Sequence, residues 1–406
     1  MPTHNARRKI LLLPVLLAAS LRAGPSQAQL LGTLLPPAIP GYGQKFSVTA
    51  QHRQFAPGAT GWNFGTLSVA PSLNLAGGYD SAPGGSASSP VLQAKPSLLL
   101  ADPAAGFGLY GQAGISSYPA NHAQDTQTAL LGAGERIALP RETIILSAAY
   151  LHGAATGFAF DTAEITAPIP FNMQAFRASD SIASGLFTLT PEFSFNRYVF
   201  SGASATANRT QPQGMVTLAY VPGGPLTALL RAATTQLDYD IPSQNAGIYE
   251  ILGGLQERQS GLWTITLLAG AASRQPRTGP SLTTPVLEAR ADWMPTMLDK
   301  ISLTASREIN DPDAISAAPY TRTSLNLALH HDFPENFTVK LMADMANAQY
   351  IYTDLHEFLA TGEISAQWAL TPDLGVEAVY CYNTRQANML SAANEHVVTL
   401  GLTWKP

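Results

Sequence analysis

The chain has 406 residues and a formal net charge of −5, from 23 Lys and Arg against 28 Asp and Glu. Charged residues make up 13% and hydrophobic ones 46%, where an ordinary soluble domain carries about 25% charge. No basic block stands out, which argues against a nucleic-acid partner, and the single cysteine, Cys381, excludes an internal disulfide framework.

Arg7, Arg8 and Lys9 precede an apolar run over 10–21, and Ser26-Gln27-Ala28 offers small residues where a signal peptidase reads. Residues 1–28 are therefore expected to be a secretory signal peptide. A spanning helix is the other reading, but the run is shorter than the ~20 residues required and holds Pro14 at its centre. Residues 29–61 follow as a separate piece, apolar and Pro-rich over 30–40. They are expected to form a periplasmic N-terminal arm that plugs a lumen or docks a partner, or else a flexible tail.

From residue 62 onward no long apolar run occurs, so the hydrophobic residues must be dispersed, as alternation along strands disperses them. Successive strand side chains point to opposite faces. Leu67, Val69, Leu73, Leu75 and Tyr79 thus oppose Ser68, Ala70, Ser72, Asn74 and Ala76. Further along, Trp263, Ile265, Leu267 and Ala269 oppose Thr264 and Thr266, and Phe337, Val339, Leu341 and Met345 oppose Thr338, Lys340 and Asp344. The alternation is weak around 110–137 and 200–220.

Breaks rich in Pro, Gly or Asp punctuate this pattern at Asp102-Pro103, Leu139-Pro140, Thr190-Pro191, 221–225, 259–261, Pro295-Thr296, 332–334 and Thr371-Pro372. Their spacing of roughly 37 residues suits two strands of about ten residues with one tight and one looser connection. The looser ones are expected near 80–90, 118–126, 157–180, 202–212, 237–246, 273–283, 310–320, 348–356 and 385–394. The expected fold of 62–406 is an all-β, transmembrane, antiparallel up-and-down β-barrel of about 18 strands, with 16 as the alternative. Both termini are expected on the periplasmic side, with the tight turns. A soluble sandwich is the rival reading of the same alternation.

At the far end, Val398, Leu400, Leu402 and Trp404 fall on one face, and Val397, Thr399, Gly401 and Thr403 on the other. That strand resembles the closing strand of an outer-membrane barrel. Such strands usually finish on the aromatic residue, whereas here Lys405 and Pro406 follow it. Two further segments carry a more particular likeness. One runs Gly65-Thr-Leu-Ser-Val-Ala-Pro71-Ser-Leu-Asn-Leu-Ala-Gly-Gly-Tyr79-Asp80-Ser81, and the other Leu287-Glu-Ala-Arg-Ala-Asp-Trp293-Met-Pro295-Thr296. On these the chain resembles the putative beta-barrel porin 2 family of bacterial outer-membrane proteins. It departs from the family's usual Asn-Pro after the first segment, with Ala82-Pro83 in its place. The resemblance implies a large barrel in the Gram-negative outer membrane and, by analogy alone, an association with exopolysaccharide export.

Charge on the lipid face is costly, about 2–4 kcal/mol for Arg or Lys at mid-bilayer, so parity assigns the charged strand residues to the lumen. The expected lining is Lys95, Glu288, Arg290, Asp292, Lys340, Asp344, Glu363 and Glu377, with Tyr110 as an inward aromatic. These residues either set ion or sugar selectivity, as charged rings do, or solvate a wet wall and pair across strands. Trp263, Trp293, Trp368 and Trp404 are expected to anchor at the membrane interface. Cys381 should face inward between Glu377 and Asn383 as a small lining residue.

No enzyme is expected, and neither a cofactor nor a metal. His330-His331 and His356-Glu357 are adjacent pairs whose side chains diverge in a strand, not ligand sets. The expected function is passage of solute or polymer across the outer membrane, by diffusion or as an exopolysaccharide exit port. The alternative is a closed structural or adhesive barrel acting through extracellular loops. Expected partners are outer-membrane lipid, the barrel assembly machinery and, through the family analogy, a periplasmic polysaccharide-export component.

Overall fold

Strands dominate because the period-two pattern, with few helix caps and frequent Gly and Pro punctuation, leaves little amphipathic helix to form from residue 62 onward. The computed structural model describes residues 31, 34–42, 61–158, 160, 167–259, 262–311, 318–334, 336–389 and 391–406. The signal-peptide segment and most of 29–61 lie outside these.

The strands in chain order are β1 (Trp62–Phe64), β2 (Leu67–Asp80), β3 (Ser89–Asp102), β4 (Phe107–Ser117), β5 (Thr126–Ala138), β6 (Glu142–Ala155) and β7 (Ile169–Ser184). There follow β8 (Phe187–Phe200), β9 (Arg209–Tyr220), β10 (Leu226–Tyr239), β11 (Ala246–Gln259), β12 (Trp263–Pro276) and β13 (Leu282–Trp293). The last six are β14 (Asp299–Asn310), β15 (Tyr320–Phe333), β16 (Phe337–Tyr350), β17 (His356–Ala369), β18 (Leu374–Ala387) and β19 (Ala393–Trp404). From β2 onward each pairs antiparallel with the next, and β19 pairs back onto β2 from Val397↔Asp80 to Trp404↔Leu73. Eighteen strands therefore close into a barrel with no free edge, and β1 is a short arm paired on β2 alone.

All eight short connections lie at one end, together with the start of β2 and the end of β19. The other nine, of five to thirteen residues against two to five, lie at the opposite end. The outer face is apolar: Val398, Leu400 and Leu402 are 53%, 62% and 52% exposed, while Val397 between them and the interior is 3% exposed. Closure satisfies every strand's backbone internally, which is the condition for strands to cross a hydrocarbon layer. Strands of 11 to 16 residues at about 3.3 Å per residue and a tilt near 40° are long enough for an apolar band about 25 Å tall. Around the short-turn end stand Trp62, Phe107, Phe187, Tyr220, Trp293, Phe333, Trp368 and Trp404, all exposed, as in the aromatic girdle of such barrels.

Two expectations about connections are corrected. Residues 169–180 are strand, not loop: β7 begins at Ile169. Its inner residues Phe171, Met173 and Ala175 are more apolar than their outward neighbours Asn172 and Gln174, so the alternation that marks a wet-lumen strand is inverted there. Thr190-Pro191 is not a turn either. The chain reverses at Gly185-Leu186, and Pro191 lies inside β8. There the β7–β8 ladder lapses between Ser179↔Glu192 and Ile182↔Leu189, because Pro has no N–H to donate.

Candidate channel lumen

The interior is not an open tube. Leu31, Leu35, Ile39 and Tyr42 recur at helix-like spacing, backed by Leu35 N–H to Leu31 O (3.0 Å) and Ile39 N–H to Pro36 O (3.0 Å). All four are buried inside the barrel against Tyr110, Leu130, Ala149, Leu151, Phe171, Met173, Ala175, Tyr198 and Phe200. The wall makes room by omitting side chains. A Cβ on Gly132 would collide with Leu35, one on Gly134 with the carbonyl of Pro40, and one on Gly108 with the carbonyl of Ala38. The Tyr42 hydroxyl donates to the Ala175 carbonyl at 3.3 Å, and the Arg177 guanidinium lies 4.7 Å over its ring. Burial pushes the Tyr42 phenol up to about 12 despite the opposing pull of Arg177, so it remains a donor.

The β6–β7 loop narrows the other end. The Gly157 carbonyl accepts from Arg385 on β18, and a Cβ at Gly157 would strike the backbone of Gly84 in the β2–β3 loop. Phe160 then packs on Tyr320, Ala346, Ala348, Tyr350 and Leu359 of β15–β17, with its ring 5.5 Å from that of Tyr320. β16 lies nine strands on from β7, half-way round the ring. The loop therefore reaches across the mouth to the far wall.

Between these two obstructions the inner wall carries a largely self-paired polar network beside an apolar cluster of Leu252, Leu268, Ala272, Val286 and Ile309. Arg231 reaches Glu288 through Nη2–Oε1 at 2.6 Å and also Glu250 at 3.3 Å. Arg290 closes on Asp292 two residues along its own strand, at 2.5 and 2.9 Å, and Ser302 donates to the same carboxylate. Arg274 grips Asp311 at 2.7 and 3.1 Å, and Arg322 stands 3.6 Å from Glu308. Arg209 lies over Tyr198 at 4.6 Å. These arginines are buried. Fork-shaped guanidinium contacts of this kind are strong and directional.

Every residue assigned to the lumen by parity faces inward. Glu288, Arg290 and Asp292 are in the paired network just described. Asp344 accepts from Asn326 at 3.3 Å, and Lys340 stands in the field of Glu377, Glu363 and Asp332. Tyr110 also points inward, but it is covered by the N-terminal segment and is 1% exposed, so it offers no open ring face. Lys95, Glu363 and Glu377 line a cavity of about 40 Å³ together with Asn74, Gln93 and Cys381. A second cavity of about 110 Å³ lies between Lys95, Gln93, Thr126, Thr128 and Glu395 and the loop residues Thr156 and Phe158. Trp293, Trp368 and Trp404 are exposed at the short-turn end. Trp263 is there too, opposite Trp293 and half-buried, with its indole donating to Gln259 at 2.7 Å. His330 pairs with Asp332 and His331 with Asp299, and no cluster of three or more potential metal ligands occurs among the described residues.

Sequence reasoning missed the glycine notches, Phe160 and Arg385. The spacing of Leu31, Leu35 and Ile39 and the run of inward glycines in β4 and β5 were the available signals for the first.

This geometry is that of a porin-like barrel, and part of the chain matches a family model. Residues 235–406 match the family described as putative beta-barrel porin 2. The matched stretch contains the Leu287–Thr296 segment that suggested the porin likeness, while Gly65–Ser81 lies outside it. No curated protein matches the chain. Among solved structures, OccK2 (OpdF) of Pseudomonas aeruginosa is 13% identical, covering 83% of this chain and 98% of its own, with a TM-score of 0.44. The outer-membrane protein OpdK of the same organism is 10% identical over 84% and 99%, with a TM-score of 0.46. Pseudomonas aeruginosa OpdO is 13% identical over 83% and 97%, at 0.45.

Proposed function

We infer that this porin-like chain is an outer-membrane channel for small polar solutes, lying with its short turns and both ends of the strand ring on the periplasmic side. The observation that carries this is the contrast between the two faces: an apolar outer face, aromatic at its short-turn end, encloses an inner wall that bears charge pairs and polar-lined cavities between apolar patches. Rings of 16–18 strands are wide enough for water. The N-terminal segment and the β6–β7 loop reduce that width, which favours small solutes over a polymer. Polysaccharide exit, with a periplasmic export component as partner, would require both obstructions to move. A closed adhesive barrel is the rival, favoured by the same obstructions.

The test is single-channel recording of residues 29–406 in a planar bilayer. A small, steady conductance that grows on deletion of residues 29–42 supports the channel. Silence from both proteins, each shown to be folded by heat-modifiable mobility, would favour the closed barrel.

A further inference from the structure

We propose that solute crosses along the wall of β17–β19 and β2–β5, and that Gln93 and Lys95 set its charge selectivity. The proposal rests on the channel reading above. The two cavities lie end to end in that sector, and of their lining residues only Gln93 and Lys95 are common to both. Anything moving from the loop-side cavity to the lower one passes these two side chains.

The local structure explains why the junction lies there. The β3–β4 ladder lapses between Ala94↔Ile115 and Ser97↔Gln112, where Pro96 has no N–H. Beside it Gly114 faces the lumen without a side chain, and the space its Cβ would take is filled by the Thr128 hydroxyl, with Lys95 Cγ 4.0 Å away. On the β7–β13 side the lumen is filled, whereas inward residues of β14–β16 such as Ser302, Asn326 and Asp344 are half-exposed. Arg177, Arg209, Arg231 and Arg290 are buried in the wall of β7–β13, and the N-terminal segment covers β4–β8 from within. Among the described residues, Lys95 is the one cation lining either cavity. Glu395 lines the upper cavity and Glu363 and Glu377 the lower, with Lys340 and Lys405 acting on Glu377 from behind.

A unit charge about 4 Å from an ion in water is worth about 1 kcal/mol, or about five-fold in that ion's permeability; K⁺ and Cl⁻ move in opposite senses, so their ratio moves by up to about 25-fold, and by less as salt screens it. Reversal potentials across a KCl gradient test the route. Lys95→Gln should raise the ratio of K⁺ to Cl⁻ permeability by about five- to 25-fold at low salt, and Lys95→Glu should raise it further. Gln93→Glu should move it the same way, so the reading does not depend on one variant folding. Arg209→Gln, on the filled wall, should leave it unchanged. Conductance that persists with the ratio unmoved in all three junction variants would overturn the route. A folded protein that conducts in no form would overturn the channel reading, and this route with it.

Discussion

Replacing Leu35 and Ile39 together by alanine should release the N-terminal segment without harming the barrel, because neither residue belongs to the strand ring. Both side chains are buried, Leu35 over Gly132 and Ile39 over Gly108. Each truncation of a buried Leu or Ile costs about 2–5 kcal/mol, part transfer and part cavity. The two sites share the same apolar cluster, so full additivity is not expected, and about 4 kcal/mol is a conservative total. At about 1.4 kcal/mol per factor of ten, the docked state should lose about a thousand-fold against the undocked one. Hydrogen exchange reads this directly, through the Leu35, Ile39 and Tyr42 amides bonded within the segment. Their protection should collapse in the double variant while strand amides such as Val398 keep theirs. Equal protection of the segment in parent and variant, or none in the parent, would refute the claim that apolar burial in the glycine notches holds it.

Orientation of the wall is tested by Leu400→Arg on the lipid face, expected to cost about 2–4 kcal/mol in denaturant unfolding from lipid vesicles. Thr399→Arg, one residue away and lumen-facing, should cost clearly less. Phe160→Ala should weaken seating of the β6–β7 loop by about 3–5 kcal/mol, seen as faster proteolysis within 156–168 and a larger, noisier conductance. Arg290→Met alone should destabilise the barrel by about 3–5 kcal/mol, since it leaves the buried Asp292 charge without its main partner, whereas Arg290→Met with Asp292→Leu should return close to the parent. Equal losses in the single and double variants would mean the pair is not the coupled unit its geometry implies.

The outside of this barrel was legible in the sequence because lipid demands one thing of every residue that faces it. Trp263, Ile265 and Leu267, or Val398, Leu400 and Leu402, therefore repeat at period two, and strand number and parity followed from counting. The same parity placed Glu288, Arg290, Asp292, Lys340, Asp344, Glu363 and Glu377 inside. Their partners were not legible. That Arg231 on β10 reaches Glu288 on β13, three strands away, depends on the stagger of the strands, and no local pattern encodes stagger. Where the interior is dry the rule itself fails. Phe171, Met173 and Ala175 are apolar because they face Tyr42 and its neighbours instead of water, so β7 read as loop. Phe160 left no trace either, since a lone aromatic in a loop does not announce which wall receives it.

The central claim, a polar passage through a lipid-spanning barrel, is tested most directly by solute uptake into liposomes containing the folded protein. Swelling rates are measured with neutral sugars of increasing size. The account expects monosaccharides to enter faster than into protein-free liposomes and oligosaccharides to be excluded, with the size limit rising when residues 29–42 are deleted. Liposomes with folded protein, full-length or deleted, that swell no faster than empty ones would contradict it.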